Sequence, residues 1–161
     1  FDSKAHLYEE AILSKSRQHK ITEYLEGQGE LPDVEDVLRT VATHILATAR
    51  KDPELIRILL YSSLEGFRSS NLLYREFRQP YINYLRGELK ARKVSGEIRN
   101  VNHFISSRCF VGMVMDCALN VELWNKLEST VYTADAVIDN NVPIFARGLR
   151  KAAVNDPQSA S

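Results

Sequence analysis

At 161 residues, with 44% hydrophobic and 26% charged positions, the chain has the size and balance of one globular domain. Its seven Gly and five Pro fall well below average usage and exclude a turn-rich all-β fold and low-complexity disorder. Lys and Arg number 21 and Asp and Glu 21, a formal net charge of zero, so the basic surplus with which a dedicated nucleic-acid binder neutralises phosphate is absent.

Helical periodicity accounts for nearly the whole length. The first segment, Ser3 to about Gly27, carries Leu7, Ala11, Ser14, Gln18, Ile21 and Leu25 at three- and four-residue steps; Tyr8 and Ile12 widen the stripe at its N-terminal half. The apolar face fades between Ser14 and Gln18 and then returns. Gly27 and Gly29 end the segment. A second helix follows Asp33, a residue suited to capping free N–H groups, with the stripe Val34, Val37, Leu38, Val41, Ile45 and Ala49. Asp52-Pro53-Glu54 then opens a third helix: Asp caps, Pro takes the first position where no N–H is needed, and Glu suits the positive end of the dipole. It is expected to reach about Gly66 and to bury Ile56, Leu59, Leu60, Ser63 and Phe67.

The fourth helix runs from Ser69 or Ser70 to about Val94 and stops at Ser95-Gly96. Its stripe is Leu73, Phe77, Tyr81, Tyr84 and Leu85, and Pro80 in its interior is expected to kink it. The charged run from Arg86 to Arg99 reads as a solvated helix face and its closing turn. The fifth helix, about Asn100 to Trp124, is apolar on two sides: Val101, Phe104, Ile105, Arg108, Val111, Met115 and Leu119 on one, Phe110, Val114, Cys117, Val121 and Trp124 on the other. Such a helix is either central to its own domain or packed on a second subunit. The sixth, about Thr133 to Ala152, carries Ala134, Val137, Ile138, Phe145 and Leu149, with a bend expected at Pro143. Residues 155–161 read as a disordered tail. The fold class is all-α, a single domain of six helices over residues 1–154.

Cys109 and Cys117 lie eight residues apart in one helix, roughly 12 Å, too far for a disulfide. Free buried thiols fit a reducing, cytoplasmic setting. No uninterrupted apolar run approaches the eighteen or so residues of a membrane span, so no membrane partner is expected. The four histidines are scattered without metal-ligand spacing, and neither a nucleophile elbow nor a glycine-rich phosphate loop occurs. Neither enzyme chemistry, nor a metal, nor a cofactor is expected.

Arg108, set among Phe104, Ile105, Val111 and Met115, demands an anion if buried. That anion is an acidic effector or an internal carboxylate. Phe77, Tyr81 and Tyr84 beside Pro80 form an aromatic stripe that is either core or the wall of a pocket for an aromatic or hydrophobic ligand. His103 adds a hydrogen-bonding group nearby, Met113 and Met115 adaptable packing, and Asp116 either contacts a second subunit or faces water.

The opening Phe1-Asp2-Ser3-Lys4-Ala5-His6-Leu7 resembles the Phe-x-Ser-Lys-x-x-Leu stretch that joins the DNA-reading head of TetR-family repressors to their fourth helix. Asp52-Pro53-Glu54-Leu55 through Leu64-Glu65-Gly66 looks like that family's sixth helix, Gly96-Glu97-Ile98 like the turn before its eighth, and Phe145-Ala146-Arg147-Gly148-Leu149 like the end of its ninth. The resemblance covers essentially the whole chain, with residues 1–27 as the connecting helix; the helix-turn-helix head that precedes this stretch in the family is not part of the sequence. It implies a ligand-responsive regulator, usually a repressor, that is a homodimer through its last two helices. Lys4 then sits where the family often approaches a DNA phosphate, and operator DNA is reached only through the head. The ligand set is Leu60, Phe77, Tyr81, Tyr84, His103, Phe104, Arg108, Val111 and Met115, for a small-molecule effector that is hydrophobic or aromatic, with an anionic group left open. The dimer set is Val114, Cys117, Val121, Trp124, Val137 and Phe145. The competing reading is a helical scaffold or protein-interaction module with a solid core.

Overall fold

The computed structural model describes residues 4–58, 67–125, 127 and 131–151, with side chains from residue 6 onward and not at 67–69. Among these residues every regular element is a helix, and one isolated antiparallel β-bridge joins Ile98 to Arg150. The elements are α1 (Lys4–His19), α2 (Ile21–Glu26), α3 (Val34–Lys51), α4 (53–58 as described), α5 (Phe67–Leu73), α6 (Gln79–Ser95), α7 (His103–Leu119) and α8 (Ala134–Leu149). A π turn, Tyr74–Arg78, joins α5 to α6, and another, Asn120–Trp124, extends α7. The six expected helices are therefore present, the first as α1 with α2 and the fourth as α5, π turn and α6. Leu59, Leu60 and Ser63, the Phe67 and Lys4 side chains and the 155–161 tail lie outside the described residues.

The first expected helix is broken. Lys20 adopts a left-handed conformation, φ 46° and ψ 45°, and the break follows the Ser14–Gln18 stretch where the apolar stripe fades. With few apolar side chains there to hold a straight course, the chain turns at Lys20 and buries Ile21 and Leu25 along a new direction. The caps follow the sequence more closely. The Asp33 carboxylate accepts from the N–H groups of Glu35 and Asp36 at 2.7 and 3.1 Å, and Asp52 accepts from Leu55 N–H at 3.1 Å. Asn102 caps α7 through Phe104 and Ile105 N–H, so that helix starts a little later than expected. Gly96, at φ 84°, closes α6 in the left-handed geometry that suits glycine.

α3 and α7 occupy the middle of the molecule. α3 packs on α6, α7 and α8, and α7 packs on α6 as well as α3. The whole predicted stripe of α3 is buried, joined by Ala42 and Leu46, and each large aliphatic side chain removed from water contributes about 1.5–3 kcal/mol. α1 rests on α5 and the first π turn, and α2 on α6. The stretch His103–Trp124 is long and apolar enough, at mean hydropathy 1.3, to cross a membrane by length and composition. It is interrupted by Arg108, Asp116 and Glu122, which are costly in a bilayer centre, and its Phe110, Val111, Val114 and Ala118 pack into the domain core.

The Arg86–Arg99 run is not merely a solvated face. Arg92 is buried: its Nη1 bonds Glu97 Oε2 at 2.6 Å and its Nη2 donates to the Leu31 carbonyl at 2.8 Å. The other Glu97 oxygen accepts from Val34 N–H at 2.6 Å. One ion pair thereby fastens the end of α6 to the start of α3. Alternation of charge along a helix does not distinguish this inward arginine from its exposed neighbours.

Candidate functional site: a cavity between α3, α6 and α7

Pro80 explains the shape of the site. A proline has no N–H, and its ring collides with the carbonyl four residues earlier, here that of Glu76. The helix responds just upstream: over Tyr74–Arg78 it widens to π geometry, and Gln79 N–H donates to the Tyr74 carbonyl five residues back. The kink expected at Pro80 is thus a π turn, a feature that often marks functional sites. The turn shifts the angular position of the residues downstream of it and brings Tyr74, Phe77, Arg78 and Tyr81 to one cavity.

That cavity has a volume of about 280 Å³. α3 supplies Ile45, Thr48 and Ala49, α4 supplies Leu55 and Ile56, and α7 supplies Met115, Ala118 and Leu119. Leu73 and Ser70 from α5 and Ile21 from α2 complete the wall. Most of this surface is hydrocarbon.

The polar groups of the wall differ in whether they are already engaged. The Tyr81 hydroxyl lies 2.7 Å from His44 Nδ1; burial pushes its pKa far up. His44 stacks on Tyr24 with ring centroids 3.8 Å apart. Burial, reinforced by the nearby His19, lowers its pKa to about 4, so the ring is neutral at pH 7. Arg78 is different. Its guanidinium rests against α7 at Gly112, where a Cβ would stand 2.9 Å from Nη2, and no carboxylate among the described residues pairs with it.

From the wall a chain of contacts leads to α1. Glu76, in the π turn beside Phe77, accepts from the Ser16 hydroxyl at 2.7 Å. Asp52, at the start of α4, binds Lys15 Nζ at 2.6 Å and His19 Nε2 at 3.1 Å. The His19 ring meets Phe77 edge-on at 6.2 Å. Burial opposes ionisation of Asp52, but the hydrogen bonds from Lys15 and His19 outweigh it and hold the carboxyl below its ordinary pKa.

Of the expected ligand set, Phe77, Tyr81 and Met115 line this cavity. Tyr84 faces instead a groove with Leu25 and Pro80, and Val111 is filled into the core. His103 stands at the start of α7 with its Nδ1 buried and unpartnered, away from the cavity wall. Arg108 is not buried: it is exposed, with its guanidinium 5.5 Å from the Tyr74 ring centre and 5.0 Å from that of Phe104. Neither the acidic effector nor the internal carboxylate expected for it is needed, because water solvates the charge and the ring faces attract it. Phe104 is itself exposed. Arg78, which the helical stripe passes over, takes the position expected of Arg108, because the extra residue of the π turn changes its angular position. Its only signal in the sequence is the proline two residues later.

The expected dimer set is likewise divided. Val114 and Val137 are buried in the protomer's own core, and Phe145 packs on Phe110 at 5.0 Å between centroids. Cys117 is half-buried, with Asn141 Nδ2 3.8 Å from its Sγ, and Val121 is half-buried too. Trp124 is 39% exposed. Asp116 is exposed on α7 and is bonded by Asn120. Cys109 is exposed rather than buried, and both thiols are free. Comparison with protein-family models, curated proteins and solved structures finds no match to this chain.

Proposed function

We propose that the chain is the effector-binding and dimerisation part of a TetR-like transcriptional regulator, acting in the cytoplasm and reaching DNA through a helix-turn-helix head ahead of α1. The observation that carries this reading is the apolar cavity between α3, α6 and α7, walled by the π turn whose Glu76 also holds α1. A scaffold with a solid core has no use for such a space. An apolar ligand entering it presses on Phe77 and the π turn, and so biases the position of α1 through Ser16 and His19. The physics is a shift of populations: the ligand favours whichever α1 arrangement it binds more tightly.

The test uses decan-1-ol, an uncharged apolar probe. Thermal melting is expected to rise with probe concentration, and Ala118→Leu, which fills the cavity from α7, is expected to abolish the rise. Hydrogen exchange of the α1 amides is expected to change on binding. No stabilisation of the unaltered protein returns the scaffold reading; binding without any change in α1 removes the regulatory part of the proposal.

A further inference from the structure

Resting on the proposed cavity, we infer that Arg78 is the recognition group for the head of an anionic amphiphile, a monocarboxylate carrying an extended apolar tail. Three observations support this. First, the wall is hydrocarbon except for a few polar groups, and the Tyr81 hydroxyl on its α3–α6 side is already engaged with His44. Second, Arg78 borders this surface with a full charge and without a carboxylate partner among the described residues, although acidic groups lie close by in sequence: Glu76 is turned to Ser16 and Arg75. Third, the charge is seated. Gly112 leaves room on α7 for the guanidinium, which a Cβ there, 2.9 Å from Nη2, would displace, and the π turn supplies the rotation that brings Arg78 there.

A guanidinium with its donors open to a cavity pairs most strongly with a planar anion, which it holds through two parallel N–H···O bonds. The tail then runs along Phe77, Leu73 and Leu119. A cationic head at the same place meets repulsion, and a neutral head forfeits the charge-assisted bonds. The order of preference is therefore carboxylate over alcohol over ammonium on an unchanged tail.

Isothermal titration with decanoate, decan-1-ol and decylammonium at pH 7.5 reads this order directly. Decanoate is expected to bind about tenfold or more tightly than decan-1-ol, and decylammonium most weakly. Arg78→Gln is expected to bring decanoate to the affinity of decan-1-ol while leaving decan-1-ol unchanged, and Arg78→Lys to retain part of the preference. Gly112→Ala, which keeps the arginine but displaces its guanidinium, is expected to reduce the preference by less than Arg78→Gln does; circular dichroism melts establish that each variant is folded. Equal affinity for decanoate and decan-1-ol in the unaltered protein overturns the carboxylate assignment and leaves the cavity reading intact. A preference that survives Arg78→Gln assigns the anion to another group and overturns the inference too. Failure of all three probes to bind overturns the cavity reading itself and the inference with it.

Discussion

At the scale of single residues, His44 shows how the wall of the cavity is tied to pH. Its ring lies between Tyr24 and the Tyr81 hydroxyl, and burial together with His19 lowers its pKa from the ordinary 6.5 to about 4. Above pH 6.5 the ring is neutral in both folded and unfolded chains and contributes no pH dependence. As pH falls below 6.5 the unfolded chain takes up the proton first, so stability declines until about pH 4, where the folded ring is protonated as well. The loss is expected to be on the order of 2 kcal/mol once the solvent reaching the half-buried ring is allowed for. Asp33 and Asp52, both held below the ordinary carboxylate value of 3.8, lose their contribution only at still lower pH, so the two windows separate. Urea denaturation between pH 7 and pH 4 measures the slope. His44→Gln, which keeps a hydrogen-bonding partner for Tyr81 but does not titrate, is expected to flatten it; an unchanged slope assigns the effect to another group.

At the scale of elements, the break at Lys20 is the feature that local pattern almost reveals. A non-glycine residue in the left-handed region costs roughly 1 kcal/mol, and here that cost is offset by the burial of Ile21 and Leu25 beyond it. Lys20→Gly is therefore expected to raise stability by about 0.5–1 kcal/mol, whereas Lys20→Ala, which suffers the same clash of Cβ with backbone, leaves it nearly unchanged. Thermal melts of the two variants decide it, and equal effects mean that the left-handed turn carries no strain. The range of the interactions decides what is legible in the sequence. The stripe of α3, the caps at Asp33 and Asp52 and the stop at Gly96 depend on neighbours within one turn, and all can be read from spacing. The inward Arg92, the seated Arg78 and the outward Arg108 cannot: three arginines in helical segments look alike until the π turn and the packing of α3 fix which way each faces. Phe77 and Tyr81 are legible as a stripe, but whether they wall a cavity or fill a core depends on the partners across from them.

At the scale of the whole molecule, the protomer uses both sides of the apolar pattern of the fifth expected helix along most of α7, and it leaves apolar residues outside mainly at the start of that helix. Ser107, Phe110, Val111, Val114 and Ala118 of α7 face inward, as do Val137, Ile138, Val142, Ala146 and Leu149 of α8. Left outside are Phe104 and Ile105 on α7 and Ile144 on α8, the last two 55% and 61% exposed. A homodimer through these two helices, as in the proposed function, has to use such residues rather than Val114 and Val137, whose exposure would require opening the core. Burying an exposed isoleucine contributes up to about 1.5–3 kcal/mol, and a glutamate in its place must be desolvated against an apolar partner. Light scattering at micromolar concentration is accordingly expected to give twice the 18.3 kDa chain mass. The double variant Ile105→Glu with Ile144→Glu is expected to give the single-chain mass with an unchanged helical spectrum. Val137→Ala, by contrast, is expected to lower stability by about 1–3 kcal/mol through the cavity it leaves, without changing the mass. A monomer in the unaltered protein removes the dimer from the proposal, and a dimer indifferent to the two glutamates places its interface on another face.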